Sequence, residues 1–535
     1  MPALYSTEEV QKLLQGILKS LPLEHSSKRC SNSTTPGRCC ELCMQLDAVD
    51  LKLCAHFEGI NKLLKIKAEA KEFFNQHHDP LARLPVEIAL HIFSIYTESG
   101  RPLLLGAVSK SWRKIAFNTP HLWNTVDIHI FKFSTDDLLM KAELTKEWLD
   151  RSRQLPLHLL FSLSFSKRNF IGPKSLIPLF TVLQNVSPRR CSLYLNIPSS
   201  FYTTFLGEVT CAPTLETLKL FDYSDERGYF RLPHTPLLKH LGTSISIPFI
   251  TIKWSCLTTV EVGYITMGEF FNLLRLSAGL ASFRLDSIVG NPAELTAPST
   301  PLTHSSLREL YLCETMNPSN LMAVLNLTTF PSLKKFRHNS GFGDSFPNTA
   351  ITSMFNRSCC RLTHLDLRGD LRNGTSDDLI SLLSDLPAIT HFKLQDEFRR
   401  HPDIGVLSDK LLRRLTPSHP NEVTSHFDRL LPRLESLKFL GYKKFSWSCL
   451  ASLVSATISD GSNPCLIPER RERTNSIGRI SFKVFAEKGM ERIDTQSLAY
   501  FKAAHQAGIF CCQVLREGYC KDQVIDPLFG GDDLP

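Results

Sequence analysis

The chain has 535 residues, 42% of them hydrophobic and 21% charged, with 34 Phe and a mean hydropathy of −0.08. That composition excludes disorder throughout and supplies ample apolar material for a core. The length calls for more than one domain or a single elongated repeat array, because compact cores stop growing at roughly 250–300 residues. A net charge of +8 is mild for so long a chain, and without clustered Lys and Arg interleaved with aromatics no nucleic-acid partner is expected.

The 16 cysteines are scattered, and "MPALYSTEEVQKLL" has neither the basic start nor the apolar run of a secretion signal. No apolar stretch approaches the roughly 18–20 residues that cross a bilayer. The expectation is an intracellular protein, cytoplasmic or nuclear, with reduced thiols and no membrane insertion.

Residues 1–24 read as an amphipathic helix and 25–38, "HSSKRCSNSTTPGR", as a linker rich in turn formers. Residues 39–79 predict a helix on which Leu46, Val49, Leu53, Phe57, Ile60 and Leu64 recur at intervals of three and four. This stripe could pair as a coiled coil with another copy or pack back on its own chain; both stay open.

In residues 80–124, "LARLPVEIALHIF" opens a helix with Pro85 near its first turn, where a missing N–H costs nothing. Glu87, His91, Ser94 and Glu98 gather into one narrow polar stripe, and nearly everything else is apolar. Such a helix must bury more surface than one neighbour covers. A second helix follows Pro102, with Leu105, Val108, Trp112 and Ile115 on one face. "FNTPHLW" turns the chain, and "TVDIHIF" alternates Val126, Ile128 and Ile130 with polar residues, as a half-buried strand does. Residues 125–189 read as connecting strands and helices.

Over residues 190–520 a phrase with the spacing L-x-x-L-x-L recurs. It begins at Leu215, Leu238, Leu257, Leu280, Leu307, Leu333, Leu362, Ile389, Leu434 and Ile477. Helix-like stretches such as "GEFFNLLRLS" lie between copies. A strand plus one helix cannot cover its own apolar side, so consecutive units must stack around a shared core. An irregular leucine-rich-repeat-like solenoid is expected, with an open mixed sheet as the alternative. "ERRERTNSIGR" reads as an exposed charged loop, and residues 521–535 as a tail.

Between the last two apolar positions of each phrase, one residue should face away from the interior. The column reads Lys219, Gly242, Glu261, Arg284, Tyr311, Arg337, Asp366, Lys393, Lys438 and Ser481. Five of these ten are basic, well above the share set by 61 Lys and Arg in 535 residues. Stacking would align them into a cationic ladder able to receive an acidic or phosphorylated peptide, with Lys219, Arg284, Tyr311, Arg337, Lys393 and Lys438 as its contacts.

No nucleophile motif, phosphate-cradling glycine loop or carboxylate pair in a recognisable setting is present. Cys40-x-x-Cys43 lacks the second tight ligand pair of a structural zinc site. The expectation is a non-enzymatic protein with no cofactor, no metal and no catalytic residue.

The segment from Pro80 to Trp123 resembles an F-box, in the form found in fungal, basidiomycete-type F-box-like proteins with a leucine-rich C-terminal part. "DPLARLPVEIALHIF" and "AVSKSWRKIAFNTPHLW" carry the resemblance, with Leu84-Pro85, Ile88, Ile92-Phe93, Val108-Ser109, Trp112, Ile115-Ala116 and Pro120-Leu122-Trp123 in matching order. It covers about a tenth of the chain. The resemblance implies a mixed α/β protein: N-terminal helices and a small helical F-box, then the repeat array. It also implies a Skp adaptor as partner and, through it, a cullin, with Leu84, Pro85, Ile88 and Ile92 docking and Val108 and Trp112 bracing or joining the contact. The implied role is a substrate receptor of a cullin-RING ubiquitin ligase; a scaffold that delivers no cargo is the alternative.

Overall fold

The computed structural model describes residues 41–79, 81, 84–99, 102–131, 135–163, 173–222, 228–290, 301–313, 318–340, 347–369, 375–396, 407–416, 429–459, 477–485, 493–516 and 523–525. The helix expected over 1–24 and the linker after it lie outside these residues. The chain divides into two compact units, Met1–Asn124 with Leu149–Arg153, and Thr125–Trp148 with Gln154–Pro535.

The first unit is helical. Helix α1 (Glu41–His78) is followed by α2 (Val86–Ser99), α3 (Pro102–Val108), α4 (Lys110–Phe117) and a short 3-10 turn, Pro120–Trp123. Leu46, Val49, Leu53 and Ile60 on α1 are exposed, whereas Phe57 and Leu64 of the same stripe are half-buried. Pro85 stands just before α2 and its carbonyl accepts the N–H groups of Ile88 and Ala89.

The single helix expected after Pro102 is in fact two. Ser109 is extended, with φ −152 and ψ 166, and its side chain accepts from the Trp112 N–H. A serine that caps a helix this way starts it afresh. The break also undoes the expected common face: Leu105 is buried while Val108 is exposed.

The centre of this unit is aromatic. Phe93 is fully buried and meets Trp112 at 5.2 Å between ring centroids. Phe117 packs edge-on to Trp123 at 5.4 Å, and the Trp123 indole donates to the Ala116 carbonyl at 2.8 Å. Helix α5 (Thr135–Arg151) contributes its last turn, placing the Arg151 guanidinium over Phe117 at 4.1 Å and over Trp123 at 4.8 Å. Cation–π contacts of this kind contribute about 1 kcal/mol each.

The second unit is built on a long sheet. Among the described residues fifteen strands join it, and their order across the sheet is their order in the chain. They are β1 (Thr125–Ile130), β2 (Leu157–Leu163), β3 (Arg190–Asn196), β4 (Thr217–Phe221), β5 (His240–Thr243), β6 (Thr259–Thr266), β7 (Ser282–Val289) and β8 (Glu309–Cys313). There follow β9 (Lys335–Ser340), β10 (His364–Gly369), β11 (His391–Asp396), β12 (Ser436–Tyr442), β13 (Arg479–Phe485), β14 (Phe510–Arg516) and β15 (Gln523–Ile525). Neighbours pair in parallel except the last two strands, which are antiparallel. The fold is thus mixed α/β, a helical unit and a long parallel sheet.

All ten phrases fall on strands β4 to β13, with the first apolar residue two positions before the strand and the other two inside it. Leu215, Leu218 and Leu220 are fully buried, as are Leu257, Val260 and Val262 or Leu362, Leu365 and Leu367. Three further strands precede the first phrase, and Gln523–Ile525, within the segment read as a tail, adds an edge strand.

Helices cover the face the phrases bury. In the second unit these include α6 (Ile177–Gln184), α7 (Tyr202–Leu206), α8 (Met267–Leu276), α9 (Pro318–Leu327), α10 (Asn348–Ser358) and α11 (Ser376–Ser384). Strand and helix aromatics meet between the layers: Phe161 with Phe180 at 5.5 Å, Phe283 with Phe270 at 5.7 Å, Phe336 with Phe355 at 5.2 Å. Thr266 and Glu269 close a reciprocal cap at the start of α8, and Thr375 with Asp378 does the same for α11. Each such cap satisfies two backbone N–H groups that a helix start leaves open.

Candidate interaction surfaces

At about 100° per residue, Ala89 and Phe93 of α2 point to one side and are buried. Ile88, Ile92 and Ile95 fall on a neighbouring stripe and stay 47%, 40% and 55% exposed. Leu84 and Pro85 precede them, both exposed. Sequence reasoning therefore located an apolar face that the helical unit leaves open, but it omitted Ile95, Val86, Leu103 and Leu104, which are also exposed. Leu103 and Leu104 lie in "PLLLGAV", an all-apolar run that does not say which side faces in.

Of the six residues expected at this face, Leu84, Pro85, Ile88, Ile92 and Val108 are exposed and Trp112 is half-buried. Trp112 is held from within: its indole N–H donates to Asp79 Oδ1 at 2.8 Å, and the same oxygen accepts the Leu81 N–H at 2.9 Å. Asp79 is itself buried. Trp112 thereby fastens α4 to the end of α1 and to Phe93 of α2.

The second surface lies on the sheet. The column from Lys219 to Ser481 is in register throughout: Lys219 pairs with Gly242, Gly242 with Glu261, Glu261 with Arg284, and so on to Lys438 with Ser481. From Glu261 on β6 to Lys438 on β12 the side chains of this face enclose a groove of about 470 Å³. Arg284, Tyr311, Arg337, Lys393 and Lys438 line it, whereas Lys219 does not.

The ladder is not uniformly cationic. Lys219 lies 3.8 Å from Glu261, Arg284 3.0 Å from Asp286, and Lys335 2.7 Å from Glu309. Arg337 and Arg368 converge on Asp366 at 2.8 and 3.0 Å. Tyr311 sits between two guanidinium groups, with Arg284 at 4.5 Å and Arg337 at 5.3 Å from its ring. Burial works against the Arg284 charge, but the Asp286 bond and charge outweigh it and raise its pKa. The acids at Asp286 and Glu309 lie outside the column that the phrase spacing singles out, so counting that column alone overstated its charge.

His364 and His391 stack at 4.2 Å across β10 and β11. Burial, then the neighbouring His391 and Lys335, hold the His364 pKa below its ordinary value. Burial likewise lowers that of Lys393, with Asp366 acting in opposition and Arg368, Arg337 and Lys438 adding to the depression.

Among the described residues no three His, Cys, Asp or Glu side chains gather to hold a metal; Cys39 and Cys40 lie outside them. No described helix is long and apolar enough to cross a membrane. Comparison with curated proteins finds no match to the chain. The family model described as F-box-like matches residues 81–139, a span that contains α2, α3 and α4 with their exposed apolar face. An F-box-like domain therefore occupies residues 81–139 of this chain.

Proposed function

We propose that this protein is a non-catalytic substrate receptor: its F-box-like domain binds the Skp adaptor of a cullin-RING ubiquitin ligase, and its sheet domain holds a target protein. F-box domains generally bind Skp-type adaptors, and the observation that carries the reading is the match over residues 81–139 on helices whose Leu84, Ile88 and Ile92 remain 40–47% exposed. Covering the rest of each such side chain is worth about 1 kcal/mol. A partner that takes an apolar helix face into a groove gathers several of these at once.

The sheet domain is, on this reading, an irregular leucine-rich-repeat solenoid of the kind found in basidiomycete-type F-box-like proteins. Ten L-x-x-L-x-L phrases on ten consecutive parallel strands support it. Its contribution to ubiquitin transfer is proximity, since tethering a target raises its effective concentration without reactive groups. The protein would work inside the cell, in cytoplasm or nucleus.

The test is affinity purification of the intact chain beside its Leu84→Ala/Pro85→Ala and Ile88→Ala/Ile92→Ala variants. Adaptor and cullin in the unmutated sample, lost from both variants while cargo is kept, is the expected result. Absence of adaptor and cullin from the unmutated sample would refute the receptor and leave a scaffold.

A further inference from the structure

Helix α1 spans 38 residues and carries two stripes side by side. Asp50, Cys54, Phe57, Asn61 and Leu64 are half-buried. On the adjoining stripe Leu46, Val49, Leu53, Ile60, Leu63 and Phe74 stay 41–67% exposed. Together with His56, Lys67 and Ala70, which are exposed as well, these six recur at intervals that alternate between three and four without a break. That is a period of 3.5, the seam of a helix that pairs along its length with another helix.

Length narrows the choice of occupant. From Leu46 to Phe74 the seam runs about 42 Å at a rise of about 1.5 Å per residue. Among the described residues the next longest helix is α5, with 17 residues, or about 25 Å. Residues 1–24 would reach about 36 Å even if helical throughout. A second α1 matches the seam from end to end.

Charge sets the direction of pairing. The first half of α1 holds Glu41, Asp47, Asp50 and Glu58 against Lys52, and the second half holds Lys62, Lys65, Lys67 and Lys71 against Glu69 and Glu72. Glu72 already pairs with Lys110, which leaves the second half more basic still. Parallel copies would lay acid on acid and set Lys67 against Lys67 in the seam, and such like-charge juxtaposition is costly. Antiparallel copies lay acid on base. With Leu53 against the second copy's Leu63, Val49 meets Lys67, His56 meets Ile60, and Asp50 flanks Lys71 at the edge of the seam.

The area is sufficient. At roughly 60 Å² of cover per apolar side chain, the six on each copy supply about 700 Å². Ile66, also exposed, and the stems of the flanking Lys and Glu bring the total towards the roughly 1,200 Å² at which specific interfaces begin.

We propose that α1 pairs with α1 of a second copy as an antiparallel two-helix coiled coil, so that the protein is a homodimer. The inference goes beyond the receptor reading and does not rest on it.

The test is sedimentation velocity of the intact chain over the micromolar range, where the expected mass is twice 60.5 kDa. Leu53→Glu/Ile60→Glu should leave a monomer that keeps the near-UV circular dichroism of the folded chain. Leu139→Glu/Leu144→Glu, which changes exposed apolar residues of α5 instead, should remain dimeric. Asp50→Lys and Lys71→Glu should each raise the dimer dissociation constant about fivefold or more, because the dimer holds their pair twice, and the two together should return it to within about twofold. In a parallel pair these two positions do not meet, so no such recovery would occur. A monomeric unmutated chain, as cover by residues 1–24 or by another protein would give, overturns the proposal. So does a dimer that survives Leu53→Glu/Ile60→Glu, or a combined charge reversal that recovers nothing.

Discussion

His338 ends its L-x-x-L-x-L phrase at a position where the other nine copies carry Leu, Val, Phe or Thr. The ring is 1% exposed, and burial pushes its pKa from the ordinary 6.5 down to about 4, a backbone bond with Leu312 opposing part of the shift. The fold thus holds the neutral imidazole. An unfolded chain takes up a proton below about pH 6.5 and the folded one only near pH 4, so this residue's contribution to stability is complete above 6.5 and is lost as the pH falls towards 4. At 1.36 kcal/mol per pKa unit, the loss between pH 7.5 and 5 is about 2 kcal/mol. His338→Leu restores the apolar residue of the phrase and removes that dependence. Urea unfolding of both proteins at the two pH values, followed by far-UV circular dichroism, isolates the effect, because every other titrating group is common to both. The unmutated chain should lose about 2 kcal/mol more than the variant on acidification. Parallel losses in the two proteins would refute the assignment of a buried neutral histidine.

Asp79→Ala removes the acceptor of both the Trp112 indole and the Leu81 N–H and should cost the helical unit about 1–3 kcal/mol; hydrogen exchange over residues 84–117 reads the loss, and Asp79→Asn, which keeps an acceptor, should lose less. Ser109→Ala deletes the cap between α3 and α4 and should destabilise by about 1 kcal/mol, measured by tryptophan fluorescence in urea. Ile88→Ala/Ile92→Ala, on an exposed face, should shift unfolding of the same unit by less than about 0.5 kcal/mol per residue, so adaptor capture lost from this variant cannot be ascribed to unfolding. A Cβ at Gly228 would lie 2.0 Å from the Ser199 carbonyl oxygen, a backbone contact that cannot yield; Gly228→Ala should lower the melting temperature sharply, and a melting curve like that of the unmutated chain would contradict the close approach.

Burial along one strand is a local property, and the sequence carries it openly. The L-x-x-L-x-L spacing alone located β4 to β13 and named the buried residues of each, because an apolar side chain at alternate positions has no other way to leave water. The alternation of Val126, Ile128 and Ile130 did the same for β1. The F-box-like segment was legible through its ordered Leu84-Pro85, Ile88, Ile92-Phe93 and Trp112 series, and through an apolar content on α2 that exceeds what its neighbours cover.

Other features depended on atoms distant in the chain. Ser109 divides a run that looks continuously helical, because its hydroxyl finds the Trp112 N–H and its backbone leaves the helix there. Trp112 turned inward because Asp79, 33 residues earlier, offers a buried acceptor. Most consequential is the sheet face. Spacing aligned Lys219, Arg284, Arg337, Lys393 and Lys438, but only strand register set Asp366 between Arg337 and Lys393, with Lys438 on the far side of Lys393. A carboxylate either reaches a cation across about 4.8 Å of neighbouring strand or it does not, and that decides which positive charges the fold neutralises.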